Sequence, residues 1–311
     1  EFGTQKLVVE MPDGSKRNAV NELRAQLEID KKFKVGDTAL VVGDKEPLIA
    51  RDHWRLGWMV ILFGGFSLLL VAFGGWVGFK AVLSFVFSCF AVWKLMIPLC
   101  LSGWSACWTS FLLVLVLTAV IVYLVAGWTR KSAAAFFGSM MGIVVSLALA
   151  GLFSSLMNVS GHTMPYVQAL YYSGYHDLNI ADVFVGALII GSSGAVMDLA
   201  MDIASSCDEV VRHHPSISRF ELFRSGLRVG RSVVGTMTTT LLLAYSGGYL
   251  TLLMMFASQG TDPTVFLNST MVSSEVVKTL VGSFGLVLVS PFTAFVSAMI
   301  MTKRGENHGE R

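Results

Sequence analysis

Between Arg55 and Met301 the chain carries seven apolar stretches, at about 56–76, 80–101, 108–127, 133–157, 182–204, 233–256 and 273–301. Each approaches the roughly 20 residues that an α-helix needs to cross a hydrocarbon layer about 30 Å thick. Inside such a layer backbone N–H and C=O groups find no water, so lipid-crossing segments of this length are helices. Composition agrees: 54% of the 311 residues are hydrophobic and only 14% are charged, against roughly 25% charged in soluble chains. The expected fold class is therefore mainly α, a polytopic helical membrane bundle of about seven spans with a small extracytoplasmic N-terminal β domain. Nucleic-acid binders, collagens and disulfide-rich secreted domains are excluded. The net charge of +2 says little, because in a membrane protein the position of charges matters more than their sum.

Three regions follow: a β domain at 1–54, a seven-span domain at 55–304 and a cytoplasmic tail at 305–311. In the first, strand-like runs Lys6–Met11, Lys16–Val20 and Lys34–Val42 are separated by the turn residues Pro12-Asp13-Gly14 and closed by Gly43-Asp44. Leu7, Val9, Val35, Leu40 and Val42 are the candidates for its apolar face. Fewer than about 60 residues give a marginal core, which predicts docking on the membrane part. The chain opens Glu-Phe-Gly-Thr, with neither an initiator Met nor a signal sequence, although the β domain is placed outside. An upstream export segment, a signal anchor, is the expectation. Lys94 and Pro98 interrupt the second span and make it the one most prone to break. Cys89, Cys100, Cys107 and Cys207 form no C-x-x-C pair and read as small packing residues. A bridge between Cys100 and Cys107, which flank a short outer loop, stays open as an alternative.

Orientation comes from Lys and Arg in short loops. Arg130 and Lys131, then Arg212, Arg219, Arg224, Arg228 and Arg231, then Lys303, Arg304 and Arg311 fall on one side, while loops 102–107, 158–181 and 257–272 contain no Lys or Arg. The basic side is the cytoplasmic one. The N-terminal domain is then outside and the C-terminus inside, as seven crossings require.

Ionisable side chains within a bilayer are costly and mark candidate sites. Asp198 and Asp202, in G-A-V-M-D-L-A-M-D-I-A-S-S (Gly194–Ser206), sit at i,i+4 on one helix face. Paired carboxylates in a low-dielectric place suit a proton or cation site. At 1.5 Å per residue Asp198 lies roughly 9 Å from the inner end of its span, and Thr236, Thr238, Thr239 and Thr240 lie at a similar depth of roughly 5–11 Å on the next one. Pro291 removes a helix bond and frees a carbonyl at a comparable level. Hard oxygen ligands of this sort suit a proton or Na⁺ better than zinc or copper. The competing reading has the threonines bonding back to their own helix and Pro291 as a plain kink.

A second polar set, Lys94, Glu275 and Lys278, lies near the outer surface. It is read as a structural ion pair in preference to an outer gate, because Glu275 also suits a first helical turn. In the inner loop Cys207–Ser232, Arg224, Arg228 and Arg231 recur at i,i+4,i+7 beside Phe220, Phe223 and Leu227. Such a segment lies in the interface with Arg on lipid phosphates, the alternative being a cytoplasmic docking surface. His213 and His214 are adjacent in sequence and make a poor metal site; no metal and no cofactor is expected.

Three stretches carry a family resemblance: K-V-G-D-T-A-L-V-V (Lys34–Val42), the Gly194–Ser206 run above, and G-L-R-V-G-R-S-V-V-G-T-M-T-T-T-L-L-L-A-Y (Gly226–Tyr245). The chain resembles the YibE/F multi-pass membrane proteins of bacteria over most of its length. The resemblance implies a permease-like architecture in the bacterial cytoplasmic membrane, with Thr239 standing where that family often has Asn. The expected function is a proton- or cation-coupled secondary transporter or exporter. A membrane receptor or assembly scaffold using the outer domain and the Arg-rich segment is the alternative. Its partners are the lipid bilayer, a small ion or solute, and a membrane subunit or second copy, with no nucleic acid. Enzymatic activity is not expected, because the acids lack the G-x-G-D spacing of membrane aspartyl proteases and no G-x-S-x-G or H-E-x-x-H occurs in the spans.

Overall fold

The computed structural model describes residues 2–26 and 30–302. Lys303, Arg304, Arg311 and the tail at 305–311 lie outside the described residues. The chain divides into two compact units, Glu1–Gly78 and Phe79–Arg311.

The first unit opens on a four-stranded sheet, β1 (Phe2–Glu10), β2 (Lys16–Arg24), β3 (Ala39–Val42) and β4 (Leu48–His53), in the order β1-β2-β4-β3. β1 and β2 form a hairpin paired from Phe2↔Arg24 to Glu10↔Lys16. Asp13 closes its turn by accepting from the Ser15 N–H (2.9 Å) and hydroxyl (2.7 Å). β2 runs parallel to β4 and β3 antiparallel to it. Ala19, Phe33, Leu48 and Ala50 are buried, with Leu7 and Val9 half-buried on the same face.

Three residues assigned to the apolar face are exposed instead: Val35, Leu40 and Val42. A register shift between Leu40 and Val41 pairs Val41 with inward Ala50 and Val42 with outward Ile49. A one-residue slip turns every side chain to the opposite face. Val35 lies in a turn, closed by the Lys34 N–H donating to Asp37 Oδ2 (2.7 Å), and not in a strand. β4 escapes sequence reading because only Leu48 and Ala50 face inward. Gln5 and Asn21 fasten the Phe33 segment, Gln5 Nε2 donating to the Phe33 carbonyl (2.7 Å) and Asn21 Nδ2 to the Lys31 carbonyl (2.5 Å).

Asp52 accepts from Lys31 Nζ (2.8 Å) and pairs with Arg55 at 2.9 Å. The Lys31 hydrogen bond holds its carboxyl below the ordinary 3.8. A depressed folded-state value means that this stabilisation is complete above about pH 4 and is lost as pH falls through the folded value. Amide exchange in β4 is therefore expected to quicken in acid in the wild type, and Asp52→Asn to exchange fast already at neutral pH.

α1 (Leu56–Ala91) is broken at Gly75, whose φ of 53° and ψ of −130° only glycine adopts readily. Gly78 is thereby brought against the Leu70 carbonyl, which a straight helix holds about 12 Å away. Beyond α1 a π-helical turn at Val92–Met96 leads into α2 (Ile97–Leu101). Pro98 has no N–H for the Lys94 carbonyl, so the interruption expected there takes the form of a π turn.

The second unit continues with α3 (Ala106–Ala126), α4 (Arg130–Leu156), α5 (Val167–Tyr172), α6 (Ile180–His213), α7 (Arg219–Gly248), α8 (Leu250–Ser258), α9 (Pro263–Asn268) and α10 (Thr270–Met301). Five helical stretches are long and apolar enough to cross a membrane: Leu56–Leu101, α3, α4, α6 and α10; α7 and α8 together, bent by 64°, make a sixth candidate. Close approaches at small residues fix the directions. A Cβ at Gly186 would strike Ser110, at Gly142 Val196 and Val289, at Gly138 Thr293, and at Gly226 Cys207 and Ala294. Together with Gly230 against Ile203 and Ser290 and the Ser105 hydroxyl donating to Asp182, these contacts set α3, α6 and α10 parallel and α4 and α7 antiparallel to them. All four cysteines are free, so no Cys100–Cys107 bridge forms.

The inner loop expected at Cys207–Ser232 is mostly helix. α6 continues to His213 and stops before Pro215, which disfavours helix at the preceding residue. α7 starts from a capping box in which Ser218 and Glu221 bond each other's backbone N–H groups. The Arg224, Arg228 and Arg231 run is thus the first half of α7, not a separate interfacial helix. It packs through buried Leu222, Gly226 and Gly230, while the three arginines stay exposed, Arg224 lying 5.7 Å over the Phe220 ring.

Candidate functional site

α6 packs into the bundle core through Val196, Leu199, Ala200, Ile203 and Ala204. Its opposite face exposes Ala187, Gly191, Gly194, Asp198 and Asp202. The i,i+4 spacing places both acids in one column of that face. Neither carboxylate has a hydrogen-bond or ion-pair partner among the described residues. Apolar helix surrounds them on their own element, so negative charge there meets none of the usual compensation.

Two contacts set the register of α6 against α7. A Cβ at Gly191 would lie 2.7 Å from the Tyr245 hydroxyl, and one at Gly230 would lie 3.4 Å from Ile203 Cδ1. Interpolating between them puts Asp198 level with Gly235–Thr238. The threonine cluster thus shares the depth of Asp198, with no hydrogen bond joining the two helices there. All four hydroxyls donate to their own helix: Thr236 to Val233 (2.8 Å), Thr238 to Val234 (2.7 Å), Thr239 to Gly235 (3.0 Å) and Thr240 to Thr236 (3.0 Å). Back-bonding uses the hydroxyl proton and leaves oxygen lone pairs able to accept or coordinate.

Pro291 itself lies deeper than Asp198, beside the Ser290–Gly230 contact and level with Ile203. Five residues of α6 separate the two levels, about 7.5 Å. What it offers higher up is the carbonyl four residues earlier, Val287, which Pro291 has no N–H to satisfy. Ser192 meets Gly282 of α10, so Val287 falls at the level of Asp198. Asp198, the exposed Thr236 and Thr239 hydroxyl oxygens and the Val287 carbonyl therefore share one depth on three helices. Asp202 lies a turn nearer the end of α6. No three His, Cys, Asp or Glu side chains gather into a metal-binding group among the described residues.

The outer polar set is rearranged. Lys278 Nζ donates to Glu275 Oε1 (2.7 Å) and to the Tyr249 hydroxyl (3.0 Å). Its ammonium also lies 5.4 Å from the Phe184 ring and 5.2 Å from the Tyr249 ring. Glu275 thus pairs along its own helix and not with Lys94, which is exposed on the π turn. The pair is enclosed, with side-chain exposures of 11% for Lys278 and 14% for Glu275. Tyr245 and Tyr249 were not foreseen as members; their i,i+4 spacing on α7, facing an i,i+3 Lys–Glu pair, is the signal that marks them. Removing one partner of a buried pair strands the other charge. Lys278→Met is expected to lower stability by about 3 kcal/mol, read as a denaturation midpoint in detergent, whereas Lys94→Met leaves that midpoint unchanged.

A family model described as YibE/F-like protein matches residues 62–303. The chain belongs to this YibE/F-like family, and the match includes both the Asp198–Asp202 stretch and the threonine cluster. Lys34–Val42, which also suggested the resemblance, lies outside it. No curated protein and no solved structure matches the chain.

Proposed function

We propose that this YibE/F-like protein is a proton- or cation-coupled transporter of the bacterial cytoplasmic membrane. The observation that carries the reading is Asp198 within a membrane-length helix, unpartnered and level with the oxygens of Thr236, Thr239 and Val287. A carboxylate, two hydroxyls and a carbonyl suit a proton or hard monovalent cation. Asp202 tunes the charge of that site. A solute would follow the exposed face shared by α6 and α7. No catalytic role is proposed.

In this reading the chain crosses seven times. Leu56–Leu101 counts as two crossings because of the Gly75 break, and α7 with α8 as one. Arg130 and Lys131 begin α4, and Arg212 and Arg219 flank the α6–α7 turn, so that end faces the cytoplasm by the positive-inside rule. The sheet is then outside. Trp54 and Trp58, Trp104 and Trp108, and Trp128 fall at helix ends and are exposed, where indole rings favour the headgroup region. Arg224, Arg228 and Arg231 meet anionic headgroups or a partner subunit at the cytoplasmic surface.

Reconstitution tests the reading. The complete protein in liposomes is expected to move protons or Na⁺ down imposed gradients faster than empty vesicles. Equal rates under every gradient would overturn it in favour of a receptor or scaffold, and pull-downs with the sheet domain and the Arg-rich surface would then be decisive.

A further inference from the structure

The site around Asp198 makes no use of the Glu275, Lys278, Tyr249 and Tyr245 cluster, which holds the two unsatisfied atoms that matter most. Glu275 Oε2 is buried with no hydrogen bond of good geometry, only the Tyr249 hydroxyl lying in polar reach of this carboxylate beyond Lys278, and the Tyr245 hydroxyl is buried without a partner, within electrostatic range of both Glu275 and Tyr249. Two orphaned polar groups in one apolar region are costly. Buried groups of this kind persist where they do work or where water joins them. The Tyr245 hydroxyl also reaches α6 over Gly191, the position where a Cβ would lie 2.7 Å from it. Beyond Gly191 the same face carries Gly194, where a Cβ would meet nothing within 4 Å, and then Asp198. The seven residues from Gly191 to Asp198 cover about 10 Å, a gap that three hydrogen-bonded waters span at roughly 2.8 Å each.

The geometry points to a proton relay in which Glu275 and Tyr245 deliver protons to Asp198 from the end of the bundle where α10 begins. Lys278 and Tyr249 are positioning residues that hold the Glu275 carboxylate. A proton bonds to Glu275 Oε2 and makes it a neutral acid. That acid gives its proton to a water between them, which passes one to the Tyr245 oxygen as Tyr245 releases its own to water on the open face beside Gly194, and Asp198 takes it up through the water chain. Each O–H bond broken is matched by one formed, and no electron moves. The titratable groups facing the relay are Lys278 and Glu275 on α10 and Tyr245 and Tyr249 on α7. α6 contributes the Phe184 ring and, at its start, Asp182, which accepts from Ser105. The segment before α6 brings His162 nearby, through the 3.3 Å contact of Thr163 with Ser274.

The relay rests on the assignment of Asp198, and the test keeps the two apart. Proton entry into liposomes holding the complete protein is followed by an internal pH dye after an external acid pulse. Tyr245→Phe removes an oxygen that bonds nothing in the protein, so it is expected to leave the thermal midpoint unchanged while slowing entry at least tenfold. Gly194→Leu, which sets a bulky apolar side chain on that open face, is expected to do the same. The double variant E275Q/K278M stays neutral, so it keeps the cluster folded, and is also expected to lose entry. If D198N leaves entry intact, the assignment of Asp198 fails and the relay with it. If D198N abolishes entry while Tyr245→Phe and E275Q/K278M stay within twofold of wild type, the relay alone is overturned.

Discussion

Asp198→Asn is expected to slow coupled proton or cation flux by at least about a hundredfold, equivalent to ~2.7 kcal/mol of lost interaction at the site, without loss of folding. Asn has nearly the size of Asp, and no described donor satisfies the Asp198 carboxylate. Nothing in the packing is broken by the exchange. An ionised acid at the centre of a spanning helix costs roughly 2.5–3.5 kcal/mol on insertion scales and less at the depth of Asp198, so neutralising it leaves stability equal or higher. Loss of flux together with an unchanged or raised thermal midpoint is the signature of a residue kept for function. Asp202→Asn, a turn closer to the end of α6, is expected to have a smaller effect. Flux unchanged in D198N would remove the residue from the mechanism.

A large effect on stability is expected at Gly138. There α4 crosses α10 so closely that a Cβ would fall 2.8 Å from the Thr293 Cα as well as onto the Thr293 hydroxyl. Backbone cannot rotate away as a flexible side chain does. Gly138→Ala is expected to cost about 1–3 kcal/mol through overpacking, and Gly138→Leu more. At roughly 2–4 °C per kcal/mol for a domain of this size, the alanine variant melts several degrees lower in detergent and the leucine variant loses its monodisperse peak. Gly194→Ala is the control, since its Cβ enters open space and adds helix propensity of about 1 kcal/mol. Equal midpoints for Gly138→Ala and Gly194→Ala would show that α4 and α10 do not meet as described.

The signals that survived from sequence to structure are those with a single physical cause. Apolar length marks the membrane helices, and the i,i+4 spacing of Asp198 and Asp202 places both on one face whatever packs behind them. The equal depth of Asp198 and the threonine cluster follows from helix rise alone. What escaped depends on which neighbour a side chain meets. Lys278 reaches Glu275 one turn away, where depth alone also allowed Lys94 on another helix. The Arg224–Arg231 run has the pattern of an interfacial helix, and only the capping box at Ser218, together with the small faces of Gly226 and Gly230, shows it entering the bundle. In the sheet, β3 alternates as expected, but the register shift opposite Arg51 sets Ala39 and Val41 inward and Leu40 and Val42 outward, a choice of face that alternation alone does not decide. Pro291 matters less where it sits than four residues earlier, at the Val287 carbonyl it leaves without a donor.

Carbodiimide labelling of the intact protein in liposomes tests most directly whether Asp198 is a membrane-embedded, protonatable acid. These reagents add to a protonated carboxyl and leave a stable adduct that peptide mass analysis locates. A lipid-soluble carbodiimide is expected to modify Asp198, with protection by Na⁺ or raised pH, while a water-soluble one modifies the acids of the sheet domain and leaves Asp198 untouched. Labelling of Asp198 by the water-soluble reagent at the same rate as Glu209 near the end of α6, with no protection by cation or pH, would mean that the acid merely reaches bulk water and holds no coupling ion.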